Sequence, residues 1–207
     1  MNKRDMILSA AFELILQKGI VSTKIIDIAE RAGIGKGTVY DYFKSKDEIL
    51  LTIFDAYILN EYELMDKGLA EKKNTEERLL FFLEFKEDML RRYGPIISEI
   101  PNLMGTQAGS ALSDEIRFAA LSMIAREMKS LKRIVELGKA AGELKDEDSE
   151  HFASYIFSAT ASHVAAHANE GKGFVQGDNE LLCELETIYS PCENSEFIKL
   201  VLKGIAA

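Results

Sequence analysis

Between Lys36 and Tyr42 the chain sets out Lys36, Gly37, Thr38, Tyr40 and Tyr42. On the outward face of a short helix these groups can hydrogen-bond to base edges and phosphates, and Gly37 contributes by absence, because its backbone can come close to a duplex. A second constellation lies downstream. His163 and His167 are four residues apart and Glu170 follows three later, a spacing that puts all three on one helical face and suits a metal. No fourth ligand or general base accompanies them, so a hydrogen-bonded buried histidine pair is preferred and no metal or cofactor is expected. A helical metal-dependent enzyme using His163, His167 and Glu170 is the alternative. The chain carries no Gly-rich phosphate loop and no nucleophile elbow.

Groups of the first kind need a scaffold, and composition says which. At 207 residues and 47% hydrophobic the chain can bury a core, which excludes disorder. Three prolines and 14 glycines argue against collagen-like or linker-rich architecture. Cys183 and Cys192 cannot build a disulfide framework, and no cysteine–histidine cluster has zinc spacing. Glu13 interrupts the first apolar stretch, so no secretory signal is read and a cytoplasmic protein is expected. From His151 to Asn169 there is no Asp, Glu, Lys or Arg. That run is too rich in Ser, Thr, His and Ala for lipid and too uncharged for an exposed surface helix. It fits a helix buried against protein, not in a membrane.

The periodicity is helical throughout. Ile7, Ala11, Leu14 and Ile15 mark one face of a first helix that Gly19 ends. Ser22 or Thr23 is the expected N-cap of a second helix, with Ile25, Ile28, Ala29 and Ala32 on one side, ending at Gly33. A third short helix follows, burying Val39 and Phe43. Ser45 and Glu48 form a capping box opening a long helix toward Gly68. Asn74 or Thr75 starts the next, with Leu79, Phe82, Leu83 and Leu90 along a seam, and Tyr93-Gly94-Pro95 should break it. Residues 95–112, with Pro101, Gly105 and Gly109, read as a short helix and a loop. Ser113 caps another long helix, interrupted near Gly138 and Gly142. The uncharged helix comes next, then a loop at Gly171, Gly173 and Gly177, then a last helix from about Asn194 to Leu202. No alternating strand pattern is present, so the fold class is all-α.

Two short helices joined by Gly33-Ile34-Gly35 have the dimensions of a helix-turn-helix. Gly33 supplies the residue tolerant of positive φ, and Ala29 the small residue at the crossing. Charge is divided to match. The first 50 residues hold eight basic and seven acidic side chains, whereas the whole chain is −9.

Residues 23–50 (Thr23, then Ile28-Ala29, Ala32-Gly33-Ile34, Gly37-Thr38, Tyr40-Asp41-Tyr42-Phe43, Ser45-Lys46-Asp47 and Leu50) resemble the signature of the TetR family of bacterial transcription repressors. The likeness is dense over the first quarter of the chain. Gly35 departs from it, standing where serine is frequent and can cap the recognition helix. The resemblance implies a three-helix DNA-binding head over residues 1–47 and a helical ligand-binding and dimerisation bundle over residues 48–207. It implies phosphate contacts from Thr23, Lys24 and Lys46, base-edge contacts from Lys36 and Thr38 beside Gly37, and phosphate or sugar contacts from Tyr40 and Tyr42. The implied partners are a palindromic double-stranded operator, a second copy of the chain and a small-molecule effector. A helix-turn-helix regulator without such a ligand is the further alternative.

Two heads on one duplex double the phosphate contacts, so a homodimer is expected. Its interface is assigned to the uncharged helix through Ser154, Ser158, Ala161, Ser162, Ala165 and Ala166, which permit close approach, and to Phe197 and Val201 of the last helix. Fourteen of the 18 Phe and Tyr residues follow residue 50, which suits an apolar effector cavity. Lys86, a cation on an apolar seam, is assigned to the effector with Tyr93, Met123 and Tyr155.

Overall fold

The computed structural model describes residues 2–97, 114–168 and 192–207, with backbone alone at 165–168. Among the described residues the regular structure is helical, and extended pairing is limited to one antiparallel bridge between Leu144 and Ala206. The helices are α1 (Lys3–Lys18), α2 (Ile25–Arg31), α3 (Lys36–Tyr42), α4 (Lys46–Ile53), a π-helical turn (Phe54–Ile58), α5 (Leu59–Ala70), α6 (Thr75–Ile97), α7 (Asp114–Ala140), α8 (Ser149–Ala168) and α9 (Asn194–Ile205). No described helix is long and apolar enough to cross a membrane. The chain divides into two compact units, Met1–Leu64 with Arg92–Ala125, and Met65–Arg91 with Arg126–Ala207.

In the first unit α1 packs on α2 and α4, and α2 packs on α3. The predicted face of α1 is buried, and Ile28, Ala29, Val39, Phe43, Ile49, Leu50 and Ile53 complete the core. Burying Val39 and Phe43 contributes on the order of 1.5–3 kcal/mol each, which a seven-residue helix needs because it is marginal alone. The helix expected from Ser45 to Gly68 forms, but with a π turn in the middle. That widened turn keeps Ile53, Phe54 and Ile58 all buried while laying Tyr57 flat on Phe12 of α1, ring centroids 4.7 Å apart. Further along, Arg92 grips Glu61 through two hydrogen bonds of 2.7 and 2.9 Å, and the Tyr93 hydroxyl donates to the same carboxylate.

Three sequence expectations for the middle of the chain need correction. Pro95 does not break α6, which runs on to Ile97. The proline withholds one N–H, and the carbonyl thereby released belongs to exposed Arg91, where water can serve it. Gly138 does not interrupt α7, which is continuous to Ala140. Its lack of a side chain answers crowding instead: a Cβ there would sit 2.4 Å from the Thr75 hydroxyl. At the third point, α9 extends to Ile205 because Ile198, Val201 and Ile205 form one buried stripe. The segment 98–113, with the expected Ser113 cap, and the segment 169–191, with Glu170, the glycine loop and Cys183, lie outside the described residues.

In the second unit Leu79, Phe82 and Leu83 of α6 are fully buried, as are Leu131, Ile134 and Val135 of α7 and Ala153 and Ile156 of α8. Helices α8 and α9 pack together. Asn74 caps α6, its side-chain oxygen accepting from the Glu77 amide at 2.8 Å. Glu143 completes that helix start from 68 residues away: one carboxylate oxygen accepts from the Thr75 amide (2.7 Å) and the Thr75 hydroxyl (2.6 Å).

The Thr75 hydroxyl first, and then its amide, hold the Glu143 carboxyl below the ordinary glutamate value. A carboxylate depressed in this way stabilises the fold above its unfolded pKa of about 4.3, and that contribution is lost as pH falls through the lower folded value. Glu143→Gln should therefore lower unfolding free energy by about 1 kcal/mol at neutral pH. The gap to wild type should close below about pH 4. Urea titrations at several pH values read both quantities, and a gap that stays constant into acid would contradict the assignment.

Candidate nucleic-acid interface

The turn between α2 and α3 is built from backbone hydrogen bonds. The Ile34 amide donates to Ala29 O (3.0 Å) and the Gly33 amide to Glu30 O (3.1 Å). With Gly33 at φ +67° this is a Schellman C-terminal cap. A side chain at Gly33 would strain the backbone, so the glycine fixes the angle at which α3 leaves α2. Ala29 is 1% exposed at the helix crossing, as its size predicts.

The start of α2 differs from expectation. Its N-cap is Lys24, whose amide donates to the Asp27 carboxylate at 3.1 Å. Thr23 is 1% exposed and its hydroxyl donates to Gly19 O at 2.7 Å. That hydroxyl proton is therefore committed to the end of α1, and the expected side-chain phosphate contact from Thr23 has no donor left. The other end of α2 is pinned as well. Lys18 pairs with Asp27, and Arg31 reaches Glu13 (3.1 Å) and Gln17 (3.0 Å) on α1. The Lys18 ammonium, followed by the Lys24 amide, lowers the Asp27 pKa.

Helix α3 buries Val39 and Phe43 inward, and the Arg4 guanidinium lies 5.1 Å over the Phe43 ring. Its other side is the face predicted from sequence. Lys36 and Gly37 are exposed, Thr38 is half-buried, and Tyr40 and Tyr42 are 48% and 42% exposed. The Lys36 ammonium stands 5.9 Å from the Tyr40 ring centroid, a weak cation–π contact that shares one surface between them. Tyrosines exposed to that degree are not core residues. Nothing lies within 4 Å of a Cβ built on Gly37, so the space above it is open. Gly35 is the N-cap of α3 and supplies no side-chain hydrogen bond.

At the start of α4 the Ser45 hydroxyl accepts from the Glu48 amide (3.1 Å), as the capping box predicts. The Glu48 carboxylate reaches one residue further back than expected, to the Lys44 amide (2.7 Å). Lys46 is not presented outward. Its ammonium is part-buried and donates to Ile20 O (2.7 Å) and Thr23 O (2.9 Å). Besides Arg31, which is held to Glu13, the exposed cations around the recognition helix are Arg4, Lys24, Lys36 and Lys44. Lys44 escaped the sequence assignment; its position directly before a serine cap was the available signal.

The sequence model of the bacterial regulatory proteins, tetR family, matches residues 7–53, which span α1 to α4. Residues 7–53 thus carry the head of the TetR family. It is 36% identical over 73 residues to the fatty acid metabolism regulator protein of Bacillus subtilis, covering 35% of this chain and 38% of that one. It is 26% identical over 139 residues to the transcriptional regulator AcuR of Cereibacter sphaeroides, covering 67% and 63%. The matches thus span less than two thirds of these curated relatives. Among solved structures, FadR from Bacillus subtilis in complex with stearoyl-CoA superposes with a TM-score of 0.69 at 22% identity, covering 97% of this chain and 98% of that one. A regulator from Saccharomonospora viridis in complex with choline gives 0.73 at 18% identity, covering 99% and 97%. These two likenesses are of fold alone, and they cover the chain beyond the matched head.

Lys86 is satisfied within the second unit: its ammonium pairs with Glu127 at 2.6 Å and lies 4.7 Å from the Phe157 ring centroid, which removes the reason for seeking an acidic ligand there. Tyr93 is buried with its hydroxyl on Glu61, Met123 is buried, and Tyr155 is half-exposed on α8. Ser154, Ser158 and Ser162 are exposed on α8, Ala161 is half-buried there, and Phe197 is half-buried on α9. Val201 is 3% exposed and packs within its own unit; Leu200, 60% exposed, is the apolar residue that α9 presents. The side chains of Ala165, Ala166 and His167 lie outside the described residues. His163 stacks on Phe197 (centroids 4.0 Å) and sits 2.9 Å from Asn194 Oδ1, while the Asn194 amide donates to Glu87. With the amide so oriented, His163 Nε2 carries the proton and donates. Among the described residues no group of three metal-ligating side chains forms.

The two glycines of the motif make opposite predictions. Gly33→Ala should lower stability by about 1 kcal/mol or more, because φ is positive. Gly37→Ala should raise it by up to about 0.5 kcal/mol, because alanine loses less backbone freedom than glycine in the first turn of α3 and the site has room. Thermal unfolding of both variants checks this, and a loss at Gly37 would contradict the open space above it.

Proposed function

We propose that this chain is a transcription repressor that binds a palindromic operator as a homodimer and is released by a small-molecule effector. The single observation that carries the DNA-binding part is the exposed surface of α3, where Lys36, Gly37, Thr38, Tyr40 and Tyr42 face out from a helix set by a Schellman turn. Lys36 and Thr38 read base edges, with Gly37 admitting the backbone, while Tyr40, Tyr42 and Lys24 hold phosphate or sugar. We assign residues 1–47 to this task and residues 48–207 to effector binding and dimerisation.

One head offers few exposed cations, so a single copy would bind weakly at cellular salt. Two heads a helical turn apart, about 34 Å, read two half-sites and double the charge. The surface proposed for pairing is the exposed serine face of α8 with Tyr155, Phe197 and Leu200, which buries small side chains and no Asp, Glu, Lys or Arg from α8 between Phe152 and Ser162. Stearoyl-CoA and choline in two fold relatives support an effector site in the helical remainder. Release works as a population shift: moving a population from 1:99 to 99:1 requires the effector to favour one state by about 5.5 kcal/mol.

Fluorescence anisotropy with a duplex from the gene's own upstream region tests the DNA claim. Lys36→Ala should weaken binding at least about tenfold and relax base preference. Gly37→Ala should also bind more weakly although it folds well. Wild-type affinity in either variant would remove α3 from the interface. For the pairing surface, Ser158→Arg places a charge on an exposed position, so it should leave the fold intact and convert the particle to a 23.1 kDa monomer in ultracentrifugation. A dimer that survives this change is held elsewhere.

A further inference from the structure

Lys46 is the first residue of α4, where the helix dipole favours anions and where Asp47 and Glu48 follow. A cation at that position is poorly placed unless its charge is used elsewhere. The structure uses it on the turn between α1 and α2. Ile20 O and Thr23 O lie in that turn, outside both helical ladders, and the Lys46 ammonium satisfies both at 2.7 and 2.9 Å. Ile20 is itself fully buried and Thr23 nearly so, so the contact sits against the core. Swinging the ammonium out to a phosphate would take the side-chain donor from Thr23 O and leave Ile20 O to the longer bond from the Thr23 amide, 3.3 Å, and a buried carbonyl that loses its donor is costly.

We propose that Lys46 is a positioning residue: it ties the first turn of α4 to the α1–α2 turn, fixes the angle at which α2 and α3 stand, and contacts no operator phosphate. The assignment rests on the DNA-binding reading of α3 for its purpose. Its geometry is independent of that reading. The long aliphatic stem crosses from α4 to the turn, and the same turn carries the Thr23 hydroxyl bond to Gly19 O and the Lys24 cap from Asp27. Four hydrogen bonds thus converge on residues 19–24, immediately before α2. Loss of the Lys46 bonds leaves the other two in place, so the turn loosens without losing the core.

The experiment has one arm on free protein and one on DNA. In free wild-type protein, amine acetylation followed by mass spectrometry should modify Lys24, Lys36 and Lys44 readily and Lys46 slowly. Adding a duplex from the gene's upstream region should protect Lys36 and leave Lys46 unchanged. In Lys46→Met, hydrogen exchange of the amides at residues 20–27 should quicken while the α1 and α4 interiors keep their protection. The variant should bind the duplex at least about tenfold more weakly, the equivalent of one misplaced base contact per head. Its salt slope should equal that of wild type. A phosphate-contacting lysine would instead reduce the slope by about 0.9 for each head. The proposal is overturned if Lys46 acetylates as fast as Lys36 and becomes protected on DNA, or if Lys46→Met keeps wild-type exchange at residues 20–27 and flattens the slope. Should Lys46→Met fail to fold, the acetylation of wild-type protein decides alone. A wild-type chain that bound no duplex would sink the repressor reading, while acetylation and exchange would still decide the role of Lys46.

Discussion

Helices α2 and α3 are seven residues each, two turns apiece, and a peptide of that length does not hold a helix in water. Everything the recognition surface does therefore depends on groups outside it. Inward burial of Ile28, Ala29, Val39 and Phe43 fixes which face of each helix turns out. The Gly33 cap fixes the bend between them. Ion pairs and hydrogen bonds from Lys18, Glu13 and Gln17 on α1, and from Lys46 on α4, fix where the pair stands. Exposed ion pairs of this kind contribute little to stability, about 0–1 kcal/mol each. Their value here is geometric, since a hydrogen-bond reader of base edges tolerates little error in angle.

Inside the second unit the same preference for placement over stability recurs. Lys86 and Glu127 are 11% and 16% exposed and pair at 2.6 Å beneath the Phe157 ring. Removing two charges from water costs about as much as their attraction returns, so a leucine and a methionine would hold α6 to α7 at least as firmly. An ion pair admits one register between the two helices, where an apolar seam admits several. The chain from Glu87 through Asn194 to His163 does the same for α6, α8 and α9. A bundle pinned at discrete polar points has a small set of packings, which is the property a ligand-driven switch requires.

The sequence made the helix-turn-helix legible because short-range rules govern it: period, glycine placement and a serine cap act within four residues. The same rules located α1, α8 and α9 and the buried side of α3. They failed where a side chain answers to a distant partner. Thr23 failed for a nearer reason: it was assigned outward by type, yet the carbonyl of Gly19, four residues back, claims its hydroxyl. Lys46 has carbonyl partners 23 and 26 residues upstream, and Lys86 a carboxylate 41 downstream. None of these separations leaves a local mark. Gly138 was read as a breaker because propensity says so, while its real cause is the Thr75 hydroxyl beside it. The π turn at Phe54–Ile58 serves a stack on Phe12, more than 40 residues upstream in the chain, and has no signature of its own.

Charge adds one more constraint on docking. Eight basic residues against seven acidic ones make the first 50 residues nearly neutral, yet internal bonds engage Lys18, Arg31 and Lys46 and take two carboxylates, Asp27 and Glu13, with them. What stays outside near α3 is Arg4, Lys24, Lys36 and Lys44. Everything after residue 50 is strongly acidic, which accounts for the whole of the −9. In the proposed reading, a phosphate backbone is therefore repelled by the acidic remainder and accepted by one small face. Long-range attraction is modest in such a molecule, so orientation rather than steering is what its charge provides. In that reading, specific recognition then falls to hydrogen bonds and close approach at α3, where the backbone is bare at Gly37.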